Sequence, residues 1–214
     1  YPKSWSKDLK VNFIKMKKEI FEYFAHPVFK YKVEDFSNQN KILEKFIYQL
    51  QKENPNGQTK SNIGGWHSPF FDLKNRDSVG YKFLISIQPY IVDVFKSYGW
   101  VYDHKKVYFT GMWAIINRKG NSNNEHIHPN SNLSAAYYVK APKNCGDFVV
   151  TNPYSLNRNF YPNRENPTEL NRTIAKHKAE EGDLLIFPAY LPHQVLPNES
   201  DEDRIVISFN LWIQ

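Results

Sequence analysis

"EHIHPNSNLSAAYYV", residues 125–139, decides how this chain is read. It places two of the chain's seven histidines one residue apart, at the head of an apolar run. Side chains along a strand alternate with period two, so His126 and His128 share one face and Glu125 points to the other. Two imidazoles side by side suggest a metal, and alternation leaves Glu125 out of the ligand set.

Working outward, the texture downstream of residue 106 is one of short apolar runs bounded by Asn, Pro and Gly: "VYFTGMWAII", "LSAAYYV", "DFVVTN", "RTIAKHKA", "DLLIFP" and "RIVISFNLWI". Runs of that length between turn residues read as strands of a sandwich or barrel. "RENPTELN", residues 164–171, reads as a polar loop. Upstream, helical periodicity dominates. "SNQNKILEKFIYQLQKE" carries Ile42, Leu43, Phe46, Ile47 and Leu50 on one stripe, with Ser37 as its cap and "NPNG" as its stop. "YKFLISIQPYIVDVFKSYGW" is a second helical stretch, expected to kink or restart at Pro89. The expected fold is mainly β with flanking helices: an N-terminal helical layer followed by an antiparallel jelly-roll. A single domain over 1–214 is expected, with 1–105 as largely helical support with short strands and 106–214 as the jelly-roll core carrying the metal site.

Composition removes several classes of function. No stretch approaches the roughly 18 apolar residues of a membrane span, so no membrane partner is expected. "YPKSWSKDLK" lacks the apolar centre of a secretory signal, which makes a cytoplasmic location the expectation. Cys145 is the only cysteine, so a thiolate cluster cannot be built and any metal must be held by His and carboxylates. Such ligands suit iron, manganese or zinc. The net charge of +6 resides mostly in residues 1–32, which hold eight Lys against three acidic residues and leave 20 against 19 elsewhere. Phe13, Met16, Ile20 and Phe24 recur there at helical spacing among Lys15, Lys17 and Lys18, as a basic amphipathic helix. Packing on the body explains it more simply than binding of nucleic acid, which is possible but not favoured.

A catalytic metal needs a further ligand from elsewhere, with positions left open. His193 in "FPAYLPHQVLPN" is the best candidate, because a strand ends there, two prolines fix the path, and another strand begins. Arg204 opens the apolar strand "RIVISFN", where a lone cation has little reason to be unless it meets an anion. The simpler alternative is an ion pair with Asp201, Glu202 or Asp203. His67 and His177 are read as structural or surface residues, and His26 and His104 carry no signal.

At this point the residues resemble a known family. "HIHPNSNLSAAYYV", "GDLLIFPAYLPHQVLPN" and "DRIVISFN" are similar to the 2-oxoglutarate/Fe(II)-dependent oxygenases of bacteria and phages related to prolyl 4-hydroxylases. "FAHPVFKYKVEDF", "GGWHSPF" and "MWAIINRKGNSN" extend the likeness over nearly the whole chain. The resemblance implies a double-stranded β-helix of jelly-roll or cupin kind that holds Fe(II) at one open end, with 2-oxoglutarate as cosubstrate and dioxygen as oxidant. Succinate and carbon dioxide would be formed as an unidentified primary substrate is hydroxylated, be it a peptide side chain, a nucleobase or a small metabolite. His126 and His193 match the family's histidine ligands. Arg204 matches the anchor of the distal carboxylate, and Tyr138 its tyrosine partner. His128 stands where most of the superfamily has Asp or Glu; a neutral imidazole can still bind iron there, with one negative charge fewer. The expected metal-binding and catalytic set is therefore His126, His128 and His193, with Arg204 and Tyr138 binding the cosubstrate. Two other readings stand beside this one. A three-histidine cupin-like dioxygenase would share the ligands and not need Arg204, and a non-catalytic jelly-roll binding module would work through the basic N-terminal helix.

Overall fold

The computed structural model describes residues 18–21, 24–154, 163 and 165–214. Strand β4 (Val107–Asn117), strand β6 (Leu133–Lys140) and strand β11 (Arg204–Ile213) form its centre. Their alternation builds two different surfaces. Met112, Ala114 and Ile116, then Tyr137, then Ile205, Ile207, Phe209 and Leu211 face one way and are buried under helices. Ala136, Tyr138 and Val206 face the other way, into a second apolar cluster with Phe148, Leu185 and Phe187. Period-two geometry thus separates the neighbours Tyr137 and Tyr138 completely. Tyr137 donates to Asn40 Oδ1 at 2.6 Å on the helix side.

Six strands make the larger sheet in the order β1-β9-β6-β11-β4-β3, adding β1 (Phe29–Lys32), β3 (Trp66–His67) and β9 (Asp183–Pro188). The smaller sheet runs β2-β5-β10-β7-β8, with β2 (Asn62–Ile63), β5 (Ser122–His126), β7 (Phe148–Thr151), β8 (Ile174–His177) and β10 (His193–Val195). Every pairing is antiparallel. Two facing antiparallel sheets with helices on the outer face of one make a double-stranded β-helix-like core of the jelly-roll or cupin kind. β1 is held at its edge by Lys30 and Lys32, which meet the buried Asp183 carboxylate at 2.8 and 2.6 Å.

The helical layer differs from the sequence reading in detail. Helix α1 (Phe36–Glu53) starts from Asp35 in a left-handed conformation with no side-chain cap, so Ser37 lies inside the helix instead of capping it. Its buried positions are Asn40, Leu43 and Ile47, at the spacing of one face, while Ile42 is 60% exposed. The stripe is narrower than the run of apolar letters, because each step turns the helix by about 100°. Helix α2 (Val79–Tyr98) runs through Pro89 without a restart, capped by Ser78 at one end and by left-handed Gly99 at the other. Lys18–Phe21 carry no regular structure and Phe24 is a bend at φ 61°, while the rest of the expected basic helix, including Phe13, Lys15, Met16 and Lys17, lies outside the described residues. Of the expected 164–171 loop, residues 165–171 are turns and irregular chain. No helix among the described residues is long and apolar enough to cross a membrane.

Candidate metal centre

His126 ends β5 and His193 begins β10, and the two residues are paired directly across the smaller sheet. That register brings their rings to 4.3 Å between centroids. His128 lies beyond the end of β5, so the two-residue spacing does not act through a single strand as expected. Its backbone N–H donates to Ala189 at 2.8 Å, and this bond holds the chain so that the His128 ring still turns toward its neighbours. Ring centroids are 4.9 Å from His126 and 5.1 Å from His193, and the His128 and His193 Nε2 atoms are 3.2 Å apart. One nitrogen from each of the three lies within 4.8 Å of the others, and this is the one such cluster of metal-ligating side chains among the described residues.

The electrostatics favour neutral rings. Burial pushes His193 down to about 3, with His126 beside it adding to the shift, and pushes His128 down to about 4 for the same two reasons. His126 is lowered by burial as well. At neutral pH the three imidazoles are therefore uncharged and able to offer lone pairs. His126 Nδ1 donates to the Asn124 carbonyl at 2.7 Å and His193 Nδ1 to the Leu191 carbonyl at 2.8 Å. A carbonyl accepts only, so each ring must carry its proton on Nδ1 and leave Nε2 bare, the tautomer a metal needs. The donor set thus fits a borderline divalent metal such as iron or zinc. It contains no carboxylate. Glu125, directed away from the cluster by alternation, accepts a short hydrogen bond from Thr151 Oγ1.

The three histidines open onto a cavity of about 470 Å³ between the sheets. Arg204 and Tyr138 line the same cavity. Arg204 is 1% exposed, and Asp201, Glu202 and Asp203 are engaged elsewhere, by Lys119, Lys140 and Tyr48. The simple ion-pair reading of Arg204 therefore does not hold. Its Nη1 donates to the Cys145 and Leu196 carbonyls, the latter at 3.1 Å, and its Nη2 has no hydrogen-bond partner among the described residues. Burial lowers the Arg204 pKa, opposed by Tyr138 and Cys145, and burial raises that of the Tyr138 phenol, opposed by Arg204. Gly146 makes the guanidinium's room: at φ +87°, a Cβ there would lie 2.2 Å from the Leu196 carbonyl oxygen and 2.8 Å from Arg204 Nη1. Only glycine combines that backbone with that space.

Several cavity residues escaped the sequence reading. Trp113 projects from β4 and stacks on His67, with ring centroids 5.6 Å apart and planes 12° apart, and lies 6.0 Å from the His128 ring. His67 is therefore in the cavity wall, buried, with Nδ1 against the Ser68 carbonyl at 2.7 Å. Asn210 meets His128 Nδ1 at 3.2 Å. The usable signal was the inward alternation of β4 and β11, which puts Trp113 and Asn210 on the face of Arg204. His177 is on β8, outside this lining.

Comparison with known proteins agrees with this architecture. Residues 111–210, which include all five expected site residues, match the family described as "Putative 2OG-Fe(II) oxygenase". No curated protein matches the sequence. Among solved structures, a Pseudomonas putida prolyl-4-hydroxylase superposes with a TM-score of 0.63 at 12% identity, covering 89% of this chain and 94% of that one. HygX from Streptomyces hygroscopicus, solved with nickel and 2-oxoglutarate, gives 0.61 at 10% identity over 88% of this chain and 84% of its own. The viral collagen prolyl hydroxylase of Paramecium Bursaria Chlorella virus-1, as a 2OG complex, gives 0.56 at 14% identity, covering 86% of this chain and 94% of that one. At these identities the structures speak for the fold, and just under half of the chain, residues 111–210, resembles the 2OG-Fe(II) oxygenase family.

Proposed function

We propose that this chain is an Fe(II)-dependent oxygenase whose metal is held by His126, His128 and His193, and that it uses 2-oxoglutarate as cosubstrate. The observation that carries the cosubstrate is Arg204. A buried guanidinium with an unpartnered Nη2, lining the same cavity as the three histidines, is costly unless an anion enters to meet it. A dicarboxylate can satisfy it through one end while its other end reaches the metal. Iron(II), when bound, supplies the one-electron chemistry by which dioxygen is activated. The protein's own work is different. The histidine Nε2 atoms hold the metal, while Arg204 and the Tyr138 hydroxyl take the distal carboxylate. Phe148 and Phe187, which pack on the His193 ring at centroid distances of 5.4 and 4.7 Å, keep water from that side of the centre. Trp113, Phe70 and Ile127 supply an apolar wall for the primary substrate.

One observation favours a second reading. The cluster lacks the carboxylate common in the superfamily, and three neutral imidazoles equally suit a dioxygenase that does without 2-oxoglutarate. Anaerobic titrations separate the two. The first reading expects one Fe(II) per chain, lost in His193→Ala, followed by saturable 2-oxoglutarate binding to the loaded protein. Iron binding with no 2-oxoglutarate binding would select the second. No iron binding in the wild type would remove both.

A further inference from the structure

The three histidines are not equally prepared for a metal. His126 and His193 have Nδ1 against carbonyls and so present a bare Nε2. Among the described residues, no carbonyl accepts from the His128 ring. Its Nδ1 faces the side-chain amide of Asn210 at 3.2 Å, and Asn210 in turn accepts from Ser134 Oγ at 2.8 Å. The bonds run in one direction: Ser134 hydroxyl to Asn210 Oδ1, Asn210 Nδ2 to His128 Nδ1, His128 Nε2–H to His193 Nε2. His193 must accept in the last step, because its own proton is on Nδ1. In this pattern the His128 proton sits on Nε2, the nitrogen that faces the metal site.

An amide's oxygen and nitrogen ends are nearly the same in shape, so Asn210 can occupy the same space turned about its Cβ–Cγ bond. Turned, its Oδ1 accepts from His128 Nδ1–H, and its Nδ2 donates to Ser134 Oγ, a hydroxyl that can accept as well as donate. Both contacts survive, and His128 Nε2 becomes bare. We infer that Asn210 is the positioning residue of this centre: by turning its amide it selects the His128 tautomer and lets a histidine serve where a carboxylate would need no such choice. The inference rests on the metal reading proposed above.

The test is equilibrium binding of Co(II) at neutral pH to the wild type, Asn210→Leu and Asn210→Asp, with long-range ¹H–¹⁵N NMR of the His128 ring. Asn210→Leu removes the partner and is expected to weaken Co(II) by roughly 10–100-fold, the usual cost of losing the group behind a ligating histidine. Asn210→Asp supplies an acceptor only, so it is expected to bind Co(II) at least as tightly as the wild type and to show the His128 proton on Nδ1 before metal is added. A residue that merely filled space would not give opposite results for these two changes. Wild-type affinity in a folded Asn210→Leu protein, or a loss in Asn210→Asp as large as in Asn210→Leu, would overturn the inference. If Asn210→Leu does not fold, NMR of Zn(II)-loaded wild type decides: a proton on His128 Nδ1 supports the inference, and metal on Nδ1 overturns it. Failure of the wild type to bind any metal would instead defeat the reading on which it rests.

Discussion

Replacing Arg204 with methionine separates the cost of the buried charge from its use. The change removes the bonds to the Cys145 and Leu196 carbonyls, each worth about 0.5–1.5 kcal/mol net. It also removes a guanidinium whose Nη2 is unpartnered, and that desolvation costs about several kcal/mol per ion. The two effects oppose each other at similar size, and methionine fills much of the same volume. Arg204→Met is therefore expected to leave ligand-free stability little changed. Its effect appears on adding cosubstrate. At 2-oxoglutarate about a hundredfold above Kd, the wild type gains about 2.7 kcal/mol from binding. For a chain of this size that is a rise in Tm of roughly 5–10 °C. Losing a charge-assisted contact of about 1.5–3 kcal/mol weakens binding by roughly 10–150-fold. At the same concentration the remaining gain is only about 0.3–1.4 kcal/mol, a rise of roughly 1–6 °C. Thermal unfolding of the Fe(II)-loaded proteins under anaerobic conditions, with and without 2-oxoglutarate, reads both quantities. Equal ligand-induced shifts in the two proteins, together with a large loss of ligand-free stability in Arg204→Met, would refute the argument and make Arg204 a structural strut.

Three further outcomes follow from particular contacts. His128→Asp restores the commoner ligand and charge, and is expected to retain metal, whereas His128→Ala weakens it and Glu125→Ala does little; metal lost in Glu125→Ala and kept in His128→Ala, by equilibrium dialysis, would reverse the assignment. His128 and His193 sit at about 4 and about 3 in the fold against an ordinary value of 6.5, so the unfolded chain binds more protons between those limits. Stability of the chelator-treated protein should therefore fall as pH drops from 7 to 5, by up to about 1.4 kcal/mol per pH unit for each ring. Urea midpoints measure it, and a flat profile would mean that the rings are not buried neutral. Gly146→Ala drives a Cβ toward the Leu196 carbonyl and Arg204 Nη1, and should weaken 2-oxoglutarate binding while leaving Co(II) affinity unchanged; an unaltered Kd for 2-oxoglutarate would count against the guanidinium's placement.

The sequence carried the β core well because alternation is local. Tyr137 and Tyr138, or Val206 and Ile207, are assigned to opposite faces by neighbouring letters alone, and the structure separates them as period two requires. The lone cation in "DRIVISFN" stood out against its apolar neighbours, and only the structure shows that it is buried and not paired with the acidic residues beside it. What was not legible depends on partners distant in sequence. β3 has two residues and exists only through its pairing with β4, so it has no period to read. His128 is held by Ala189, 61 positions away, and not by the strand its spacing suggested. Asn210 looks like an ordinary polar residue in a strand until β11 and β5 are brought together around the cavity. Ile42 was misread because adjacent apolar letters do not share a helix face, and the true stripe includes the polar Asn40. His67 read as a structural or surface residue and is cavity wall, stacked on Trp113.

The central claim is that a three-histidine centre and a buried arginine work together on one dicarboxylate. The most direct measurement is succinate formed from 2-oxoglutarate by the purified protein in air, with Fe(II) added, alongside dioxygen consumption and with His193→Ala and Arg204→Met in parallel. The account predicts slow succinate formation by the wild type even without primary substrate, dependent on iron, absent in His193→Ala and strongly reduced in Arg204→Met at limiting 2-oxoglutarate. Iron-dependent dioxygen consumption with no succinate, unaffected by Arg204→Met, would contradict it and identify a dioxygenase that does not use this cosubstrate.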